Sequence, residues 1–375
     1  MKKILFVVNT PEFFLSHRLP IALAAKKKGM SVHIATGSGK SIPDVEEFGF
    51  KHHLLPISRK GQNPFLEIKT LFLLFRLFKK EKPDLVHLVT IKPVVYGGLA
   101  ARLARINAVV AAISGLGTVF LAQNGLKNSR RLLVTQLYRA ALKQNKLTVI
   151  FQNPDDKQLF IDSKIVSETD TQLIRGSGVD LEDYQPKPEP NGVPVVVFAA
   201  RLLKDKGIFE FVEAARILKK RKLPVVMRVI GDSDPGNVSS VTESELNMWR
   251  EENIVELSGY KKDISKEYAA AHIVCLPSYR EGLPKSLVEA AACGRAVITS
   301  NVTGCRDAIE SRQSGILVPV KDALKLADAI EFLVNNKELR IAMGVFGRDL
   351  AEREFSIDKI VDQHLAIYNR MLNLE

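Results

Sequence analysis

Ser278-Tyr279-Arg280-Glu281-Gly282-Leu283-Pro284-Lys285-Ser286-Leu287-Val288-Glu289-Ala290 follows an apolar run, Ile273 to Leu276, with the length of a buried strand. Glu281 falls in a Gly/Pro loop. Glu289 falls two turns into the helix expected from Pro284 to Ala292. The two glutamates are eight positions apart, a little over two turns at about 3.6 residues per turn, which places both carboxylates on one crevice. Between them lies a helix N-terminus, whose free N–H groups and dipole attract a diphosphate. One carboxylate bonding a sugar while the other grips a ribose would make this a nucleotide-sugar site.

Around this stretch, apolar β-rich runs alternate with helical patterns over the whole chain. Strands are expected at Lys3–Val8, Ser31–Ala35, Leu85–Leu88, Ala108–Ile113 and Leu147–Phe151, with helices such as Leu19–Lys28, Pro64–Lys80 and Pro93–Arg105 between them. The polar segment Tyr184-Gln185-Pro186-Lys187-Pro188-Glu189-Pro190-Asn191-Gly192 reads as a linker. The alternation then restarts with Val193–Ala199, Val225–Ile230, Ile254–Leu257, Ile273–Leu276 and Ala296–Thr299. The expected architecture is α/β: two doubly wound, Rossmann-like domains facing across a cleft at the carboxyl ends of their strands. The expected boundaries are 1–185 for an acceptor-binding, membrane-facing domain and 186–355 for a nucleotide-sugar domain. Residues 356–375 are expected as a helix packing back towards the first domain.

The 375 residues are ample for two domains, and 46% hydrophobic with 26% charged residues is an ordinary globular balance. Only five apolar residues separate Lys2-Lys3 from Asn9-Thr10-Pro11, too few for a signal-peptide core, and no run has the length of a membrane span. Cys275, Cys293 and Cys305 have no zinc spacing and leave one unpaired, which points to a reducing cytoplasm. The seven histidines form no HExxH or similar ligand cluster. The net charge of +12 is uneven: residues 1–180 hold 27 Lys and Arg against 13 Asp and Glu, and residues 181–375 hold 27 against 29. The basic half implies an anionic partner, a phospholipid surface, a pyrophosphate or nucleic acid, unless it serves solubility alone. No stacking motif or recognition module supports RNA binding. A dehydrogenase is disfavoured because no GxGxxG follows the first strand. An epimerase has no matching signature.

Arg201 and Lys206 follow the strand Val193–Ala199. Two cations there can hold a diphosphate and stabilise the charge that develops as it leaves, or can simply form a solvated basic loop. Gly231-Asp232 ends the second strand of this half beside the same expected cleft.

The order Arg-x4-Lys-Gly, Gly-Asp, Glu-Gly-x-Pro-x4-Glu resembles the retaining family-4 glycosyltransferases of the two-domain GT-B fold. Ile174–Asp180, Tyr184-Gln185-Pro186, Asn301–Asp307 and Gly315–Val318 match further segments of that family. The resemblance implies that Arg201 and Lys206 bind the donor diphosphate and that Glu281 contacts the donor sugar. It also implies that Glu289 accepts from the ribose and that Gly282, Leu283 and Pro284 let backbone approach the ligand. Tyr260 and Lys261 would flank the base. Catalytic roles fall to Glu281, Arg201 and Lys206, with retention of configuration and no metal or other cofactor.

The N-terminal half departs from the common pattern. Asn9-Thr10-Pro11 stands where many members have a glycine pair, and Ser114 where many have a histidine. Phe14–Ile21, Gly115-Leu116-Gly117 and Pro277–Gly282 resemble a subgroup that extends undecaprenyl-diphosphate-linked sugars with N-acetylgalactosamine. That subgroup implies a UDP-sugar donor and a polyprenyl-diphosphate-linked saccharide acceptor. A GDP-sugar donor, a lipopolysaccharide acceptor and a non-catalytic lipid-surface binder are the alternatives. Ser16, with His17 and Arg18 read in a loop, and Gly115 and Gly117 are the acceptor-binding candidates; Arg18 could instead start and solubilise the first helix. His87, on a buried strand, reads as a core histidine.

The segments 63–80 and 126–146 combine Phe and Leu with Lys and Arg, as interfacial helices do. Phe65, Phe72, Phe75 and Phe78 exceed what packing on a sheet needs. An anionic membrane is therefore expected as a partner, on the cytoplasmic face of the plasma membrane.

Overall fold

The computed structural model describes residues 1–57, 64–116, 126–234 and 236–374, with backbone alone for Pro64 and residues 126–130. It divides into two compact units, Met1–Ser177 with Asp358–Glu375, and Gly178–Ile357.

The first unit is a parallel sheet of β1 (Lys3–Val8), β2 (Ser31–Thr36), β3 (Lys51–Leu54), β4 (Leu85–Val89), β5 (Ala108–Ile113), β6 (Lys146–Phe151) and β7 (Thr171–Leu173), in the order β3-β2-β1-β4-β5-β6-β7. Both faces are covered, so its central strands run apolar, with His87 the polar exception inside β4, rather than alternating with polar residues. Leu5 and Val7 enter one core, with Leu74 and Phe78 of helix Pro64–Glu81. Ile4, Phe6 and Val8 enter the other, with Ile360, Tyr368 and Met371 of helix Ile357–Leu372. Each large apolar side chain sealed in this way contributes roughly 1.5–3 kcal/mol, which holds the last helix of the chain on the first sheet.

The second unit is a parallel sheet of β8 (Val195–Ala199), β9 (Val226–Ile230), β10 (Glu256–Leu257), β11 (Ile273–Leu276), β12 (Ala296–Ser300) and β13 (Gly315–Val318), in the order β10-β9-β8-β11-β12-β13. Its strands are sealed in one continuous core with the helices Ile208–Lys220, Lys285–Ala292 and Ala323–Asn335.

Three expectations need correction. The chain passes between units at Ser177/Gly178 and Ile357/Asp358, not at 185 and 355. The cause is pairing: Val179 bridges to Ser356, and the segment read as a linker is pinned to the second unit. There Glu189 takes a two-pronged bond from Arg340 at 2.8 Å and 2.8 Å, and Pro190 O accepts from His272 Nε2 at 3.0 Å.

Second, His17, read in a loop, is the last residue of a helix, Pro11–His17, and only Arg18 stands between that helix and the next. Thr10 caps that helix by accepting from the Phe13 N–H at 3.3 Å, and Pro11 opens it, as caps and first-turn prolines do. Third, β3, β7 and β13 are strands that the sequence reading lacks. All three lie at sheet edges, where one side of the ladder is unpaired; β3 and β7 carry no apolar run, whereas β13 is apolar.

Candidate active site

In a doubly wound sheet, the strands at which the order reverses leave their carboxyl-end loops splayed apart, and ligands bind in that gap. In the second unit the reversal lies between β8 and β11. Arg201 and Lys206 follow β8, and Ser278 and Glu281 follow β11, so the expected pair of loops does meet.

The two loops are fastened together. Asp205 O accepts from the Tyr279 N–H at 2.9 Å and from Ser278 Oγ at 2.9 Å. Gly207 has φ +77°, and a Cβ there would stand 2.1 Å from Pro277 O, so only glycine allows this approach. Lys206 Nζ donates to Glu281 Oε1 at 2.5 Å, and Ser278 Oγ lies 2.7 Å from the same oxygen, its single proton shared between Glu281 Oε1 and Asp205 O. The Glu281 N–H bonds Thr303 O at 3.1 Å. Gly304, with φ +82°, lies so close that a Cβ would meet Glu281 O at 2.4 Å.

Glu281 is therefore held from three sides at the rim of the sheet. Its charge is balanced by Lys206, while Arg201 pairs with Asp234 at 2.7 Å. A diphosphate arriving here would have to compete with both carboxylates for these two cations. Glu281 and Asp234 hold the cations in place and balance their charge.

The helix Lys285–Ala292 begins beside Glu281. Pro284, in extended backbone at its N-cap, supplies no side-chain cap, so its N-terminus remains open to an anion. Glu281 to Pro284 are not helical, so the eight-residue spacing does not place the two glutamates by helical period. Glu289 lies just past the first turn, not two turns in, and is only 6% exposed.

Glu289 Oε1 accepts from the Tyr184 hydroxyl at 2.8 Å, and Lys285 Nζ stands 3.3 Å from it. Burial raises its pKa above the ordinary carboxylate value, outweighing Lys285 and the Tyr184 and Tyr268 hydroxyls. The hydrogen bonds that hold Glu289 thus come from residues other than those around Glu281. A ribose would reach Glu289 only by displacing the Tyr184 or Lys285 bond.

Gly231 serves the backbone. Its φ is +135°, a Cβ would sit 2.0 Å from Ala200 O, and its N–H bonds Gly259 O at 2.9 Å. That bond joins the loop after β9 to the one after β10, which carries Tyr260 and Lys261. Tyr260 is 71% exposed, with its N–H on Asp232 Oδ1 at 3.1 Å, so its ring is presented to solvent. Lys261 approaches Glu267 at 3.9 Å. Gly282 and Leu283 lie in the loop before the helix, and Leu283 is buried in the core. The three cysteines are buried as free thiols, and burial pushes Cys293 and Cys305 up to about 12, so none is a nucleophile at neutral pH.

In the first unit the order reverses between β1 and β4. Ser16 is exposed on the helix after β1, and its hydroxyl lies 2.6 Å from His17 Nδ1. The His17 ring stacks on Phe13 with centroids 4.0 Å apart. Arg18 does not belong with them. It is 2% exposed, and its field acts on Tyr368, His87 and His364 in the interior. Burial lowers it to about 10, still protonated at neutral pH. A guanidinium sealed there neither meets an acceptor nor solubilises a helix.

His87 is a core histidine, 2.5 Å from the Tyr368 hydroxyl. Gly115, at φ +118°, follows β5, while Gly117 lies outside the described residues. The sequence reading missed Ser278, whose hydroxyl bridges the two loops of the second unit. It gave no role to Thr90, or to Asn9 and Ser114 beyond their departure from the family pattern; these three follow the adjacent strands β1, β4 and β5 and carry buried side-chain oxygens without a partner among the described residues. Thr90 holds φ +75°, a strained setting for a β-branched residue.

Two doubly wound parallel sheets, each flanked by helices, are the GT-B fold. Residues 180–349 match the family described as Glycosyl transferases group 1, and residues 3–153 match Glycosyl transferase 4-like. The chain belongs to these glycosyltransferases.

It is 28% identical, over 96% of its length and 98% of the relative's, to the N,N'-diacetylbacillosaminyl-diphospho-undecaprenol alpha-1,3-N-acetylgalactosaminyltransferase of Campylobacter jejuni. It is also 28% identical, over 82% of its length and 80% of the relative's, to the UDP-Gal:alpha-D-GlcNAc-diphosphoundecaprenol alpha-1,3-galactosyltransferase of Escherichia coli. The fold matches that of Anabaena HepE, crystallised with UDP-glucose, at a TM-score of 0.80 and 19% identity over 99% of this chain and 100% of that one.

Proposed function

We propose that the protein transfers a sugar, with an N-acetylhexosamine such as N-acetylgalactosamine favoured, from a UDP-sugar to a polyprenyl-diphosphate-linked saccharide in bacterial glycan assembly. The observation that carries this is the Lys206–Glu281–Ser278 cluster at the turning point of the second sheet, in a chain related end to end to an enzyme named for such a transfer.

Arg201, Lys206 and the open N-terminus of helix Lys285–Ala292 receive the diphosphate. Glu281 meets the donor sugar and Tyr260 the base. The bond from the sugar's anomeric carbon to the β-phosphate oxygen breaks, and one to the acceptor oxygen forms on the same face. The departing diphosphate takes the acceptor's proton, and no metal is required because the cations and the helix end carry the charge. Glu289 receives the ribose by exchanging its Tyr184 bond. Ser16, His17 and the backbone at Gly115 meet the acceptor.

The test is a panel of UDP- and GDP-sugars read by thermal shift, followed by transfer to undecaprenyl-diphosphate-linked sugars. Stabilisation by one UDP-sugar with transfer to the lipid is the expected result. A response to GDP-sugars alone overturns the donor. No nucleotide response from folded protein favours a lipid-surface binder that does not catalyse.

The acceptor class calls for a membrane surface. No helix among the described residues is long and apolar enough to cross a membrane. Helix Pro64–Glu81 instead carries an exposed apolar stripe: Phe65 is 83% exposed, Ile68 65% and Phe72 55%. Lys69, Arg76 and Lys79 border it. Phe78 is buried and Phe75 partly so, which divides the four phenylalanines between core and surface. Leu132 and Leu133 are each 61% exposed on helix Leu126–Leu142. Amphipathic helices of this composition dock on anionic bilayers. Binding to phosphatidylglycerol vesicles should weaken as salt rises and should fall further in Phe65→Ser/Phe72→Ser. Absence of vesicle binding at low salt sinks the membrane reading.

A further inference from the structure

Away from the turning point of the first sheet, towards the amino ends of its strands, three side chains from distant parts of the chain converge. His33 projects from β2, His53 from the edge strand β3, and Glu81 is the last residue of helix Pro64–Glu81. His33 Nδ1 lies 3.2 Å from His53 Nε2 and 3.4 Å from Glu81 Oε2. The three ligand atoms all lie within 4.8 Å of one another. His33 and Glu81 are buried and His53 is partly so, which leaves one side of the cluster open.

These separations resemble the edges of a coordination tetrahedron. Zinc bonds of about 2.0–2.1 Å to nitrogen and oxygen place neighbouring ligand atoms about 3.3–3.4 Å apart. Two imidazoles and a carboxylate are also a ligand set that suits Zn²⁺. We propose that His33, His53 and Glu81 form a binding site for a divalent transition-metal ion of the zinc type, with the fourth position open to water. The ion would tie the edge strand β3 to β2 and to the end of helix Pro64–Glu81, a structural role distant in sequence and topology from the transfer chemistry.

Two lysines set the strength of this site. Lys51 Nζ donates to Glu81 Oε1 at 3.0 Å, and Lys3 Nζ reaches Oε2 at 3.3 Å and the backbone O of Glu81 at 2.7 Å. Their positive charge opposes a cation. The metal would take Oε2, where the Lys3 contact is the longer one, and Lys3 would keep its bond to the backbone. Lys51 would remain on Oε1, its side chain 56% exposed and free to swing outwards. The proton shared between the imidazoles moves to the outer nitrogen of its own ring, so neither histidine need change charge.

The test is calorimetric titration of the full chain, stripped with EDTA, with ZnCl₂, alongside the visible spectrum of the Co²⁺-loaded protein. One equivalent bound with a tetrahedral Co²⁺ spectrum is expected. His33→Asn, His53→Asn and Glu81→Gln should each weaken binding by at least ~10-fold. Lys51→Met should tighten it by lifting the competing charge, and His52→Asn, whose ring bonds Thr36, should leave it unchanged. No saturable uptake by the unaltered chain overturns the proposal, because the cluster is then an ion-paired hydrogen-bond network alone. So does uptake that survives in His33→Asn/His53→Asn, which would place the metal elsewhere. Circular dichroism confirms that each variant is folded before it is scored.

Discussion

Glu281→Ala should lower turnover by about 10²- to 10³-fold, the usual loss when a positioned charge-bearing group leaves a water-poor site. The side chain is 11% exposed and takes bonds from Lys206 and Ser278 on one oxygen. It therefore has one orientation before any ligand arrives, and preorganisation of that kind is what a transition state exploits. Glu281→Gln keeps the shape and removes the charge, so it separates packing from electrostatics. Lys206→Ala should act on nucleotide affinity more than on turnover. If the double variant loses no more than the worse single one, the two residues act as a unit. Near-normal turnover in Glu281→Ala, with an unchanged melting curve, would remove this residue from the site.

The largest effect on stability is expected at Arg340. Its guanidinium makes two parallel bonds to Glu189, both side chains are nearly sealed from solvent, and Nη1 donates to Leu333 O at 2.7 Å. Arg340→Ala strands a buried carboxylate and should cost ~3–5 kcal/mol, read by urea unfolding followed through Trp249 in the same unit. Arg340→Met with Glu189→Leu should recover most of that loss, since neither charge is then left alone. A cost below 1 kcal/mol for Arg340→Ala would mean that water reaches the pair. The prediction also tests the segment 184–192, whose prolines read as a free linker. In the structure the Glu189 carboxylate and the Tyr184 carbonyl pin it to helix Lys337–Leu350 through Arg340 and Arg348, and the Pro190 carbonyl pins it to His272 just ahead of β11.

The central strands were legible because burial on both faces demands apolar runs; β1, β5, β8 and β11 have them, and β4 and β12 depart only at His87 and at Thr299-Ser300. The edge strands escaped because Lys51-His52-His53-Leu54 and Thr171-Gln172-Leu173 carry no such signal; their ladder bonds come from a neighbour, not from their own side chains. The helix at Pro11–His17 was legible in principle from Thr10-Pro11. Arg18 could not be placed from sequence. Whether an arginine between two helices faces water or Tyr368 depends on a helix some 340 positions away in the chain.

The sequence alone determined the class of fold, its two-part organisation and the loops that carry Arg201, Lys206 and Glu281, because periodicity and turn chemistry are local. Only the tertiary structure decided that Glu289 is bonded by Tyr184 while Glu281 is bonded by Lys206 and Ser278, that the chain crosses at Ser177/Gly178, and that His33, His53 and Glu81 meet. Those outcomes depend on which surfaces are excluded from water together and on bonds between residues remote in sequence, and no spacing along the chain encodes either.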